Sequence, residues 1–318
     1  MSKLVLDAAV FSPAAIAPDT RMVNEAIIKV MKTIPDRWAV PLAEIRAARL
    51  SGKGVFPLSP ESPRARDETI PGPRGDVPVR VYMPDGAPRG VYLHIHGGGW
   101  TVGSARENEG ILDRIAGACG LAVVSVDYAL APEVPFPAGP DDCEAAALWL
   151  VREGKARFGT DRFAIGGESA GATLSVVTLA RLRDRHRLSP FSAAVLTAGC
   201  YDLRLTPSAR NWGDEPLVLN TRDILFFVNN YLRLDGKADE PDVSPLLGDL
   251  KGLPKALFTV GTRDALLDDT LFMANAWLAA GNAAALDVYP GGCHVFIGFP
   301  GTIADQAMKR ICDYLSAF

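Results

Sequence analysis

The amino-acid sequence predicts a doubly wound α/β fold, and three observations carry that prediction. From about residue 120 onward, segments with strand and helix character alternate. The strand segments are nearly continuous apolar runs, as expected for a parallel sheet covered on both faces. A chain of 318 residues, 48% hydrophobic and 22% charged, suits one large domain and rules out wholesale disorder.

Taken in order, residues 1–50 carry helical spacing, with Met22, Val23, Ile27, Met31 and Ile34 largely on one side of a 3.6-residue period. Residues 51–75 are rich in Pro, Gly and Arg and read as an extended connector. Short β runs follow at 77–83, 91–95 and 121–127, with helical periodicity at 107–119 between the last two. Beyond them the pattern is helix 141–157, strand 162–166, helix 169–184 and strand 193–198. Helix 221–234, strand 256–260, helix 267–280, strand 286–289 and helix 302–317 close the chain. Between Tyr201 and Val243 about forty residues, including Trp212, Leu217, Leu219, Phe226 and Phe227, break the rhythm. Such a stretch is too long for an idle loop, so it reads as an insertion with a helix of its own, able to form a lid with the N-terminal helices.

Charge and composition exclude several classes of function. With 33 Lys and Arg against 37 Asp and Glu, the formal net charge of −4 supplies no basic surplus for nucleic acid or an anionic membrane. Residues 1–20 lack the charged-then-apolar layout of a signal peptide, and no later run is long and apolar enough to span a bilayer. A cytoplasmic protein without nucleic-acid or membrane partners is expected. Its five cysteines, Cys119, Cys143, Cys200, Cys293 and Cys312, are odd in number and scattered, which indicates neither a disulfide framework nor a metal site.

The strongest local signal is Gly167-Glu168-Ser169-Ala170-Gly171, set between a strand and a helix. A sharp turn there exposes the Ser169 hydroxyl, while the glycines let strand and helix backbones approach. A bare Gly-rich junction is the alternative. Serine needs a base, and the chain has four histidines. His186 sits in a charged helix end, and His94 and His96 alternate on one strand. Only His294, after Gly291-Gly292-Cys293, lies beyond the last strand, at the edge where doubly wound sheets build sites. Asp264 ends a strand at that same edge and can orient the imidazole; Asp268, farther on, is expected to cap a helix instead. The chain order Ser, Asp, His differs from those of chymotrypsin and subtilisin. An oxyanion needs fixed donors, and His96-Gly97-Gly98-Gly99-Trp100 offers free amides, with Ala170 as a further one. His94 and His96 as a metal pair lack a third ligand.

Together, His96-Gly97-Gly98-Gly99, the run Asp127-Tyr128-Ala129-Leu130-Ala131-Pro132-Glu133, Gly167 to Gly171, Asp264 and His294 resemble the bacterial hormone-sensitive-lipase-like esterases, over roughly residues 66–318. The resemblance implies an α/β-hydrolase fold: a mostly parallel eight-stranded sheet flanked by helices, with its second strand antiparallel and a helical cap. It implies an N-terminal cap segment at 1–50, core at 51–204, a cap insertion at 205–245 and core at 246–318. It also implies oxyanion-hole amides from Gly98, Gly99 and Ala170, and carboxylic ester hydrolysis without cofactor or metal. Departures are Ala129 for the usual Arg, Val134 for His, Ala265 for Pro, Val295 for Gly and Glu168 for Asp or Thr, so ion pairing in the loop at 127–134 is in doubt. The expected activity is hydrolysis of short- to medium-chain acyl esters through Ser169, His294 and Asp264, with Trp100, Leu217, Phe226, Phe227 and Phe296 as candidates to line the substrate pocket. Amide, carbamate or lactone hydrolysis on the same triad and a non-catalytic small-molecule receptor stay open, as does a homodimer.

Overall fold

A computed structural model describes residues 4–233 and 237–318. After two short 3₁₀ turns the chain forms α1 (Pro18–Met31) and α2 (Leu42–Leu50). Pro18 and Asp19 in the first turn suit a helix start, by fixed φ and by charge. The buried stripe of α1 is Thr20, Asn24 and Ile27, whereas Met22 is 68% exposed. The apolar stripe expected from the sequence is therefore offset, because the Asn24 amide turns inward to donate to Gly291 O at 2.8 Å.

The core then runs β1 (Ala65–Gly72), β2 (Gly75–Tyr82), β3 (Val91–Ile95), α3 (Glu109–Cys119), β4 (Ala122–Val126), α4 (Ala138–Phe158), β5 (Phe163–Glu168), α5 (Ala170–His186) and β6 (Phe191–Thr197). Among its described residues the insertion holds two helices rather than one, α6 (Pro207–Asn211) and α7 (Thr221–Leu232). The predicted end of the second, at position 234, lies outside the described residues. β7 (Lys255–Arg263), α8 (Leu267–Ala279), β8 (Ala284–Cys293) and α9 (Thr302–Ser316) complete the chain.

The eight strands form one sheet in the order β1-β2-β4-β3-β5-β6-β7-β8. β2 runs antiparallel to both β1 and β4, and the remaining neighbours are parallel. β1 is a correction to the sequence reading, which placed it within an extended connector. As an edge strand it keeps most of its residues at least partly exposed and tolerates Pro71, so it shows no apolar run. By contrast β3, β4 and β5 are buried along their whole length. Their carboxyl ends, with those of β7 and β8, converge on one edge of the sheet.

Candidate active site

Ser169 links β5 to α5 in a conformation L residues rarely adopt, φ 55° and ψ −125°. Neighbouring backbone holds it there. The Ser169 amide donates to Thr197 O at 2.9 Å, and its carbonyl accepts from Ala172 N at 3.0 Å. A Cβ at Gly167 would lie 2.0 Å from Ile95 O, and one at Gly171 1.9 Å from the same atom. Both positions require glycine because the end of β3 passes directly against the turn.

Asp264 follows β7 and His294 follows β8, and both are almost fully buried. His294 Nδ1 lies 3.0 and 3.1 Å from the Asp264 carboxylate oxygens, and Nε2 lies 2.9 Å from Ser169 Oγ. The carboxylate also accepts the Leu266 amide at 2.8 Å, which fixes its plane. With Nδ1 facing a carboxylate, the proton belongs on that nitrogen, leaving Nε2 free to accept the serine proton. Asp268 stands apart. Its carboxylate accepts Ser208 N at 2.8 Å while its own amide donates to Ser208 Oγ at 3.0 Å, so it caps α6 rather than its own helix.

The neighbouring Asp269, which sequence reasoning missed, is fully buried and ties the start of the insertion to α8. It accepts from Tyr201 N at 2.6 Å, Asp202 N at 3.0 Å and Thr206 Oγ1 at 2.5 Å. Burial pushes its carboxyl up to about 7, against the pull of those donors.

The loop after β3 has Gly98, Gly99 and Trp100 all at positive φ. A Cβ at Gly98 would meet Val102 O at 2.0 Å, so that glycine is obligatory. The Gly98 and Gly99 amides meet no acceptor among the described residues, and Ala170 begins α5, where a helix leaves its amides unpaired. Glu168 supports this loop. It accepts the Gly97 amide at 2.9 Å and pairs with His94 Nε2 at 3.0 Å, while His94 Nδ1 reaches Ser125 Oγ at 2.8 Å. Burial would raise the Glu168 carboxyl, but His94 and the Gly97 amide hold it below its usual range. His96 stacks on Tyr128 with centroids 4.3 Å apart and donates from Nδ1 to Gly97 O at 2.7 Å. The two histidines thus serve separate bonds. His186 pairs with Glu144 at 2.6 Å, away from the cavity.

The doubt over ion pairing in the loop at 127–134 is resolved by a residue from α2. Arg46 binds Glu133 through Nη1 at 3.0 Å and Nη2 at 2.8 Å, and also donates to Thr101 O and Ala131 O.

Ser169 and His294 open into a cavity of about 460 Å³, which Gly98, Gly99, Trp100, Val295 and Phe227 also line. Leu217, Phe226 and Phe296 are not among its lining residues, contrary to the sequence reading. Leu217 is wholly buried, Phe226 turns its ring to Trp38 at 5.0 Å, and Phe296 packs on Tyr289 at 5.1 Å. Part of the cavity wall went unrecognised: the connector residues Val55, Phe56 and Leu58, Ile111 of α3, and Ala304 and Met308 of α9 also line it. Nothing in local sequence marks such a wall, because its parts meet only through tertiary packing.

A family model described as alpha/beta hydrolase fold matches residues 92–298, and the chain belongs to that family. Esterase LipI of Mycobacterium tuberculosis is 30% identical over 92% of this chain and 94% of its own length. The carboxylic ester hydrolase LipN of the same organism is 36% identical over 73% of this chain, which spans 64% of LipN. A solved esterase from the bacterial hormone-sensitive lipase family superposes with a TM-score of 0.80 at 31% identity, covering 95% of this chain and 99% of that one.

Proposed function

We propose that this chain, a carboxylic ester hydrolase by its relatives, acts on short- to medium-chain acyl esters through Ser169, His294 and Asp264 and an acyl-enzyme. The observation that carries the reading is the unbroken run of contacts from Asp264 through His294 to Ser169 Oγ, opening on a cavity edged by free amides. Ser169 Oγ attacks the ester carbonyl as His294 Nε2 takes its proton, and Asp264 stabilises the imidazolium. The oxyanion is received by the amides of Gly98, Gly99 and Ala170. His294 then protonates the leaving alcohol, and water repeats the sequence on the acyl-enzyme.

The segments 1–50 and 205–245 act as a two-piece cap over the core formed by 51–204 and 246–318. Support comes from Arg37, whose Nε lies 2.9 Å from Asp223 of α7, and from the Trp38–Phe226 contact. A cavity of limited volume under such a cap favours modest chains, since each methylene contributes about 0.8 kcal/mol only while it is buried. Five free thiols support a reducing, cytoplasmic setting. A homodimer belongs to the same reading and is checked by sedimentation.

Ser169→Ala tests the mechanism: kcat should fall about 10³-fold or more with the melting temperature little changed. Wild-type turnover in a clean preparation would remove Ser169 from it. Across a series of p-nitrophenyl esters, kcat/KM should rise, peak at a modest chain length and fall. A steady rise through long-chain triglyceride emulsions would contradict the chain-length reading.

A further inference from the structure

The five cysteines differ sharply in environment. Cys143, Cys200 and Cys293 are buried, and burial pushes each thiol up, away from reactivity. Cys119, the last residue of α3, and Cys312, on α9, instead form a pair. Cys119 Sγ lies 3.7 Å from Cys312 O, which sets the two cysteines side by side across the α3–α9 contact. Cys312 is the partly exposed member, and Cys119 is buried beneath it. Contact with Cys119, aided by the Arg114 guanidinium and opposed by burial, draws the Cys312 thiol down to about 7, while the same contact and burial push Cys119 up. Such an arrangement has the two parts of a thiol oxidation site: an accessible thiolate and a resolving thiol in reach.

We propose that Cys312 and Cys119 form a peroxide-sensitive modification site, closing a disulfide between α9 and α3. The Cys312 thiolate attacks one oxygen of hydrogen peroxide. The S–O bond forms as the O–O bond breaks, and hydroxide leaves and takes up a proton. Sulfur is oxidised by two electrons and the peroxide is reduced. Cys119, giving up its proton, then attacks the sulfenic sulfur; the S–S bond forms, the S–O bond breaks and water leaves.

The two helices joined in this way are also walls of the cavity. Ile111 and Arg114 of α3 face Ala304, Asp305 and Met308 of α9 there, and Arg114 already bridges to Asp305 at 3.1 Å. Tying the helices together fixes the spacing of two of the cavity's walls, so oxidation should act on bulky substrates and spare small ones. This consequence rests on the esterase reading; the thiol chemistry does not.

The test treats the full chain with hydrogen peroxide and reads it in two ways. Intact mass should fall by two hydrogens and return with dithiothreitol, and digestion should yield a peptide cross-linked through Cys119 and Cys312. In Cys119→Ser the sulfenic acid at Cys312 should persist long enough to be trapped by dimedone. Recovery of only unmodified thiols, or of irreversibly oxidised Cys312 without cross-link in the wild type, would overturn the site. For the consequence, kcat/KM on p-nitrophenyl octanoate should fall by about threefold or more on oxidation, with the acetate ester unchanged. Equal change on both esters would overturn the coupling to the cavity while leaving the mass result to stand.

Discussion

At the carboxyl edge of the sheet, Gly98, Gly167 and Gly171 leave no room for a side chain, and Asp264, His294 and Glu168 are each less than 10% exposed. The N-terminal segment is held differently. Val30, Trp38 and Leu50 are 43%, 43% and 53% exposed. Ion pairs tether it: Asp36–Arg222 at 2.7 Å, Arg37–Asp223 at 2.9 Å, Arg46–Glu133 at 2.8 Å and Arg49–Glu107 at 2.6 Å. Asp36–Arg222 is exposed, whereas Arg37–Asp223 and Arg49–Glu107 sit more deeply; all four are contacts between side-chain tips, while at the glycines a side chain would have to be forced into closely packed backbone. The floor is therefore intolerant of added side chains, and the segment above it, held through side-chain tips, leaves more room for substitution. Changes in the floor should act on turnover, and changes in the roof on which ester is preferred.

The hardest test of that division lies in two aspartates four positions apart. Asp264→Asn should reduce kcat by about 10⁴-fold, because the imidazole loses the acceptor that sets its tautomer. Asp268→Asn should leave kcat near wild type and lower stability by about 1 kcal/mol, since it weakens only the α6 cap. Equal loss in the two variants would erase the distinction between floor and frame. One step outward, Glu168→Ala frees the Gly97 amide and should lower kcat by about 10²-fold with KM little moved, while Glu168→Gln, which retains an acceptor, should recover most of it. A change confined to KM would make Glu168 a part of the binding surface.

Smaller effects should come from the roof. Phe227→Ala enlarges the cavity and should move the chain-length optimum toward longer esters by several-fold in kcat/KM. Phe226→Ala should leave the optimum in place and merely loosen the contact with Trp38. The joint between floor and insertion should show itself in pH. The Asp269 carboxyl holds its proton up to about 7 when folded but loses it near the model-peptide value of 3.8 when unfolded. Between those values the native state binds more protons, so this group's contribution to stability is full below about pH 4 and is lost as pH rises through 7. Urea unfolding at several pH values should show that slope, at most about 1.4 kcal/mol per pH unit, and Asp269→Asn should flatten it.

The division also explains what could be read in the sequence. Ser169 and Asp264 could be proposed from the sequence because each follows a strand with a clear apolar run, and His294 because its glycine turn follows the last strand, while a parallel sheet gathers such strand ends at one edge. β1 was hidden by the charge and proline an edge strand tolerates. Phe226 and Phe227 are adjacent on α7 and point in different directions, so composition could not tell which ring faces the cavity. The part of the cavity wall built from Phe56, Ile111 and Met308 joins three distant segments, and no local pattern encodes such a meeting. Glu133 found its partner in α2, a long way back along the chain, where no motif pointed.

That partner, Arg46, has a mechanical meaning. One guanidinium holds Glu133 and Ala131 on one loop and Thr101 on the glycine loop. α2 and the glycine loop, whose amides we propose as oxyanion donors, are consequently joined as parts of one lever. A motion that lifted this helix to admit substrate would tug on the loop that must stay still during reaction.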